Sequence, residues 1–273
     1  MKETLYTLRW LAKKILGTTT EQSTKDLVQE QIELITKEIG GESKQEPAAE
    51  KAPLGKGLKR FPFATQHGKM KERGTYALGY PRGAVVHYTA GRSGGLKKAM
   101  SAVDYGATQG HTYLVIGSDG SLVQAHDIDK YGYHAGNSKY TNAIKKLFLL
   151  DTVSDDLIGF EINNAGKVEK IGEGRYQTYF KTYLTEDEVR FVDGKEWGCP
   201  AGYYHKYTPE QEATLVKAIL FLKQNDPVGC FDLDLVLGHN EVSPGRKPDP
   251  DGALSMPMEK FREHLKKEYA KLV

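Results

Sequence analysis

What this chain has little of narrows it first. Only two residues are cysteine, Cys199 and Cys230, and they lie far apart. Such a pair provides neither a disulfide framework nor the closely spaced thiols of a structural zinc module, so two free thiols are expected. No uninterrupted apolar run is long enough to cross a bilayer. The opening stretch from Met1 to Leu16 is broken by Lys2, Glu3, Arg9, Lys13 and Lys14 and therefore lacks a secretory h-region. The protein is expected to be cytoplasmic as synthesised. A surplus of one charge is missing too: 38 Lys and Arg face 36 Asp and Glu, a net charge of +2. That near-neutrality argues against non-specific binding to nucleic acid.

What is present describes a globular protein. Apolar residues make up 39% and charged residues 27% of 273 positions, enough for one catalytic domain with a sizeable core and an appendage. Leu5, Leu8, Leu11, Ala12, Ile15 and Leu16 recur at helical spacing. Ser23 and Asp26 form a capping box ahead of a second stripe, Leu27, Val28, Ile32, Ile35 and Ile39, which ends at Gly40-Gly41. Residues 1–40 thus read as a helical appendage. With Trp10 and four basic residues on its first helix, it suits contact with a partner or a membrane surface. Residues 41–57 are too polar to bury a core and read as a linker. The main domain spans 58–273. Its lead-in is cationic (Lys56, Lys59, Arg60, Lys69, Lys71 and Arg73 against Glu72), either a solvated face or an attraction to an anionic polymer such as a cell wall.

Within the main domain, strand and helix patterns alternate. Ala84–His87 and Leu157–Ile162 are apolar strands, and Leu96, Ala99, Met100 and Val103 mark a helix between them. Thr112–Ile116 and Ser121–Ala125 flank the turn Ser118-Asp119-Gly120 as a hairpin. Residues 165–207, rich in Tyr and Gly, read as an inserted hairpin with long loops. Thr208, Pro209 and Gln211 open a helix that buries Leu215, Val216, Ile219 and Leu222. Leu233, Leu235 and Leu237 alternate into a strand that delivers His239. Ser255-Met256-Pro257 caps a last helix through Phe261, Leu265 and Tyr269. The expected fold class is α/β, a central mixed sheet flanked by helices.

The chemistry-bearing residues gather at strand ends. His87 closes one strand and His239 another, where α/β folds place their ligands. A loop stiffened by Pro244, Gly245, Pro248 and Pro250 brings Lys247 and Asp249 back after His239. Two imidazoles and a carboxylate suit zinc, with a fourth position left for water. Glu161, among Ile158, Phe160 and Ile162, is a carboxylate on a buried strand, which needs a partner or a task; it is the candidate general base and proton donor. Lys247 is the candidate for stabilising a tetrahedral oxyanion. His134, among small residues, either binds substrate polar groups or supports another ligand. Asn163, Asn164 and Tyr88 are candidates for substrate contact. His111 and His126 read as structural. Asp249-Pro250-Asp251 lacks the ligand spacing of an EF-hand, so calcium is set aside.

Five blocks in order then resemble zinc-dependent N-acetylmuramoyl-L-alanine amidases, the type shared by phage lysozymes, wall-recycling amidases and peptidoglycan recognition proteins. They are Val85-Val-His-Tyr-Thr-Ala-Gly91, Tyr113-Leu-Val-Ile-Gly-Ser-Asp-Gly120, Tyr133-His-Ala-Gly136, Ile158-Gly-Phe-Glu161 and Gly238-His-Asn-Glu-Val-Ser-Pro-Gly-Arg-Lys-Pro-Asp-Pro250. The resemblance implies that family's amidase fold, zinc on His87, His239 and Asp249, and Glu161 and Lys247 as catalytic partners. It implies cleavage of the amide between N-acetylmuramic acid and L-alanine of the peptidoglycan stem peptide. Without a leader, such an enzyme would either recycle wall fragments in the cytosol or reach the wall through a phage holin or a secretion system. Two departures stand out: Tyr113 occupies a place where many members have histidine, and the 165–207 insertion is long. A non-catalytic peptidoglycan-binding module and a zinc hydrolase of another amide are the alternatives.

Overall fold

The structure, a computed structural model, describes residues 59–141, 152–195 and 197–273. The expected appendage at 1–40, the linker at 41–57 and the domain start at 58 lie outside the described residues. In chain order come β1 (Ala64–Gln66), β2 (Gly74–Thr75), β3 (Gly83–Tyr88), α1 (Leu96–Gly106), β4 (Leu114–Ile116), β5 (Leu122–Gln124) and β6 (Lys130–Tyr131). After them follow α2 (Val153–Asp156), β7 (Leu157–Ile162), β8 (Lys167–Gly172), β9 (Arg175–Gln177), β10 (Tyr183–Thr185), β11 (Val189–Val192) and β12 (Gly202–His205). The chain closes with α3 (Pro209–Gln224), β13 (Val236–Gly238), α4 (His239–Val242) and α5 (Met258–Ala270).

The central sheet has six strands in the order β1-β5-β4-β7-β3-β13. It is mixed: β4 and β5 pair antiparallel, whereas β4, β7, β3 and β13 run parallel. Parallel strands are covered on both faces, which is why β3 and β7 read as near-continuous apolar runs. Side chains alternate between the faces. Ala84, Val86, Ile158, Phe160 and Ile162 join the main core, with Val103 from α1, Leu215 and Ile219 from α3, and Phe261 and Leu265 from α5. Val85, Leu157 and Leu237 point the other way, into a smaller cluster with Ala135, Tyr140, Val153 and Val242. His87 and Glu161, also odd-numbered, belong to this second face. The expected mixed sheet flanked by helices is therefore what forms.

The helix starts follow local chemistry. Thr208 Oγ1 accepts from the Gln211 amide at 3.1 Å, and Gln211 Oε1 accepts from the Thr208 amide at 3.0 Å. This is the reciprocal cap that the sequence pattern implied, with Pro209 in the first turn. Asp119, in the turn between β4 and β5, accepts from the Leu96 amide at 3.0 Å and so serves the start of α1. The last helix differs from expectation: Pro257 precedes α5 without a side-chain cap, because the Ser255 hydroxyl and amide both donate to Glu212 of α3.

Two further expectations are corrected. Leu233–Leu235 is a 3-10 turn rather than strand, since Asp232 accepts from the Asp234 amide and bends the chain; only Val236–Gly238 pairs. Residues 165–207 hold more than one hairpin: β8 to β12 form a five-stranded antiparallel sheet in the order β10-β9-β8-β12-β11. Its stabilisation is cross-strand aromatic packing. Tyr203 lies 5.0 Å from Tyr176 and 5.2 Å from Phe191 between ring centroids, over a small core of Ala165, Val168, Tyr176 and Val189. Asn164 pins the base of this insertion, donating to the carbonyls of His205 and Lys206 and accepting from the Gly166 amide. Part of the cationic lead-in is neutralised within the fold, because Arg60 and Lys59 both pair with Asp127. Cys199 and Cys230 are both free thiols. No helix among the described residues is long and apolar enough to cross a membrane.

Thr208→Ala is expected to cost about 1 kcal/mol, because it removes the acceptor for the Gln211 amide. Urea unfolding checks this; unchanged stability would show that the cap contributes nothing.

Candidate metal centre

The parallel register sets the site. β3 pairs β7 with His87 opposite Glu161. β13 pairs β3 with Leu237 opposite Val85 and Gly238 opposite Val86, so the next residue, His239, stands beside His87. The chain turns into α4 at once. Glu241 accepts from the Gly238 amide at 2.8 Å and takes a two-pronged ion pair from Arg262 of α5 at 2.8 and 2.9 Å, which fixes that turn. The loop after α4 returns because the Asn240 amide donates to the Asp249 carbonyl at 2.8 Å. Asn240 Nδ2 also donates to Asp251. Asp251 thereby holds the loop and is not part of the ligand cluster. Its buried carboxyl is raised to about 7, by burial first and foremost.

His87, His239 and Asp249 converge, all buried. His87 Nδ1 lies 2.8 Å from His239 Nδ1 and 3.3 Å from Asp249 Oδ2; His239 Nδ1 lies 2.9 Å from the same oxygen. The outer nitrogens reveal what the inner ones carry. His239 Nε2 is 3.2 Å from the Ala135 carbonyl, which can only accept, and 3.5 Å from Arg246 Nη2, which can only donate; the nearer partner favours the proton on Nε2. His87 Nε2 is 2.9 Å from His134 Nδ1, and His134 Nε2 is 2.9 Å from the Leu157 carbonyl. His134 therefore donates outward and accepts from His87. Both Nδ1 atoms are left with bare lone pairs, facing one another and a carboxylate. Three acceptors meet with no donor among them, an arrangement that a cation relieves. Two imidazoles and one carboxylate are a donor set that fits zinc.

Burial holds the His87 and His134 rings neutral. His87 is lowered to about 4, chiefly by desolvation, against the raising effect of Asp249. His134 is lowered well below its ordinary value by desolvation and then by His87.

Glu161 is half-buried, and its Oε2 is shielded from solvent without a hydrogen-bond partner. Its carboxyl is raised to about 8 by desolvation and by the charge of Asp249, against the opposing charge of Lys247. Lys247 itself is exposed, and its backbone is tied to the Ser243 carbonyl.

The structure thus brings together His87, His239, Asp249 and Glu161, with Lys247 near enough to act on them by charge. It places His134 differently from a substrate contact: both ring nitrogens are engaged inside the protein, leaving none to offer outward. Tyr88 is half-buried and packs at the edge of the main core against Gly166, and the Asp249 charge is among the causes that raise its hydroxyl, after burial. Asn163 is buried with its side-chain oxygen unpartnered, whereas Asn164 is consumed by the insertion. His111 bonds Thr112, and His126 bonds the Asp127 carbonyl; both lie outside the cluster. Tyr113 is fully buried with its hydroxyl on the Gly132 carbonyl. The sequence reading passed over Ala135, Ser154 and Gly159. The first two act through a backbone carbonyl and a hydroxyl that accepts from loop amides, neither of which leaves a spacing signal.

A family model described as N-acetylmuramoyl-L-alanine amidase matches residues 77–252. Among solved structures, the chain is similar to a selenomethionine derivative of AmpD at 18% identity and a TM-score of 0.48, over 76% of this chain and 96% of that one. It is similar to the endolysin N-acetylmuramoyl-L-alanine amidase LysCS of Clostridium intestinale URNW at 12% identity and a TM-score of 0.39, over 76% and 98% of the two chains. A mutant endolysin from Bacillus subtilis aligns at 16% identity and a TM-score of 0.39, over 76% and 97%. A search of curated proteins finds no match.

Two of the perturbed groups, His87 and Glu161, predict opposite responses to pH. Folding favours neutral His87, so its contribution is complete above its ordinary 6.5 and is lost as the pH falls toward 4. Folding also favours protonated Glu161, so ionisation brings a penalty that is absent below 4.5 and complete above 8. Glu161→Gln should therefore stabilise the metal-free protein at high pH, with the gap over wild type closing as the pH falls toward 4.5. Urea unfolding of both proteins across that range checks this; a gap independent of pH would remove Glu161 as a raised acid.

Proposed function

The chain belongs to the N-acetylmuramoyl-L-alanine amidase family, and from that premise we propose that His87, His239 and Asp249 hold a zinc ion at which this peptidoglycan amidase cuts its substrate. The bond is the amide joining N-acetylmuramic acid to L-alanine of the stem peptide. One observation carries the reading: two imidazole nitrogens and a carboxylate oxygen, all buried, converge within 4.8 Å of one another. Zinc held there supplies a Lewis acid that acidifies water and polarises a carbonyl.

The chain's own groups perform the proton transfers. Glu161, beside His87 across the β3–β7 pair, takes a proton from the attacking water as its oxygen bonds to the amide carbon. Negative charge then develops on the former carbonyl oxygen, and Lys247 stabilises it. As the carbon–nitrogen bond breaks, Glu161 returns the proton to the leaving amine, giving a carboxylic acid and the free L-alanine amino group. An endolysin-like role, with delivery to the wall by a holin or a secretion system, accords with this chemistry.

Purified sacculi should release free stem peptides, stop doing so on chelation, and resume when zinc is added. Release indifferent to chelation would remove the metal from the mechanism; saturable binding without release would make the protein a peptidoglycan-binding module. His87→Ala and Asp249→Ala should each abolish turnover while far-ultraviolet circular dichroism is retained, and full activity in either would remove that residue from the site. Lys247→Ala should lower kcat by on the order of 100-fold to 1000-fold. An unchanged kcat would show that another group holds the oxyanion.

A further inference from the structure

One loop reaches both histidines of the ligand cluster from behind. His134 and Ala135 lie side by side in Tyr133-His-Ala-Gly136, yet they touch different partners. The His134 ring meets His87 nearly edge to face, with centroids 5.1 Å apart and planes at 78°, and its Nδ1 lies 2.9 Å from His87 Nε2. The Ala135 carbonyl lies 3.2 Å from His239 Nε2.

We propose that this loop is the positioning device for the metal ligands, with His134 fixing the tautomer and aim of His87 and the Ala135 carbonyl fixing those of His239. The inference rests on the zinc reading above and adds to it the residues that prepare the lone pairs.

Three observations show that the loop is built to hold this position. Ser154 Oγ accepts from the His134 and Ala135 amides, at 3.3 Å each. Arg246 Nη2 donates to the Ala135 carbonyl at 3.2 Å and to Ser138 Oγ at 3.2 Å. The sheet makes room at Gly159, opposite Val85 in the β3–β7 register. A Cβ at that position would stand 2.6 Å from His134 Cγ and 2.8 Å from its Nδ1. No real Cβ is tolerated so close, so the ring occupies this berth only because residue 159 is glycine. The far nitrogen of His134 is then closed by the Leu157 carbonyl, two residues before that glycine. The proton order runs one way: His134 Nε2–H to Leu157, His87 Nε2–H to His134, and the His87 Nδ1 lone pair to the ligand cluster. Such outer partners raise a ligand's basicity and hold its ring, and their loss weakens metal binding.

Zinc affinity, measured by competition with a chromogenic chelator, tests the device without reference to turnover. His134→Phe keeps a ring but removes both nitrogens, and should weaken zinc binding by roughly 10-fold to 100-fold. His134→Gln, which offers an acceptor and a donor again, should recover part of that loss. Gly159→Ala, which crowds the ring out of its berth, should weaken binding as well. Wild-type affinity in His134→Phe and Gly159→Ala alike would overturn the inference while leaving the zinc site standing. Should wild-type protein bind no zinc, the reading of the centre falls, and the loop is judged separately by nitrogen-15 NMR of the metal-free protein. That spectrum also decides the matter should the variants not fold. Protons on Nε2 of both His87 and His239 are expected, and a proton on Nδ1 of either would overturn the proposal.

Discussion

The parallel register of β7, β3 and β13 is the constraint on which the site depends. Pairing of His87 with Glu161, and of Gly238 with Val86, puts two strand-end histidines and one carboxylate on a single face at one level. Side chains alternate strictly along a strand, so a slip of one residue would send His87 into the helix-covered core and bring Val86 forward. The packing on either side forbids that slip. Ala84 and Val86 are buried under the helices, and Val85 and Leu157 are buried under the loop face. The apolar pattern that folds the sheet is thus the same pattern that aims the ligands.

Once the strands are in register, loops complete the centre. The Arg262–Glu241 pair ties the turn after β13 to α5, and the backbone bond from Asn240 to Asp249 closes the loop that contributes the carboxylate. What this produces is electrostatically unfavourable by itself. Two imidazole lone pairs and a carboxylate face one another in a dry setting, and the carboxyl of Glu161 is left beside them with a shielded, unpartnered oxygen. A fold that maintains such an arrangement has its stability supplied elsewhere, by the sheet and three helices.

Much of the fold was legible because local rules and tertiary packing agreed. The stripe Leu96, Ala99, Met100 and Val103 became α1, and the Thr208–Gln211 pattern became the reciprocal cap of α3. The failures have specific causes. Leu233 and Leu235 alternate like a strand, but Asp232 captures the Asp234 amide and bends the segment. The insertion was read as one hairpin because its strands are short and its aromatic partners, Tyr176, Phe191 and Tyr203, are far apart in sequence.

The sequence by itself determined which groups the candidate site can draw on: two strand-end histidines, an aspartate on a proline-stiffened loop, a carboxylate on a buried strand and a lysine on the same loop as the aspartate. Residue type and local spacing carry that information, since each belongs to its own short segment. Only the tertiary structure decided their protonation and their partners. The Leu157 and Ala135 carbonyls, the Ser154 hydroxyl and the space above Gly159 meet the histidines across long separations in the chain. Tautomer and desolvation are set by what surrounds a ring in three dimensions, and a linear pattern holds no record of that.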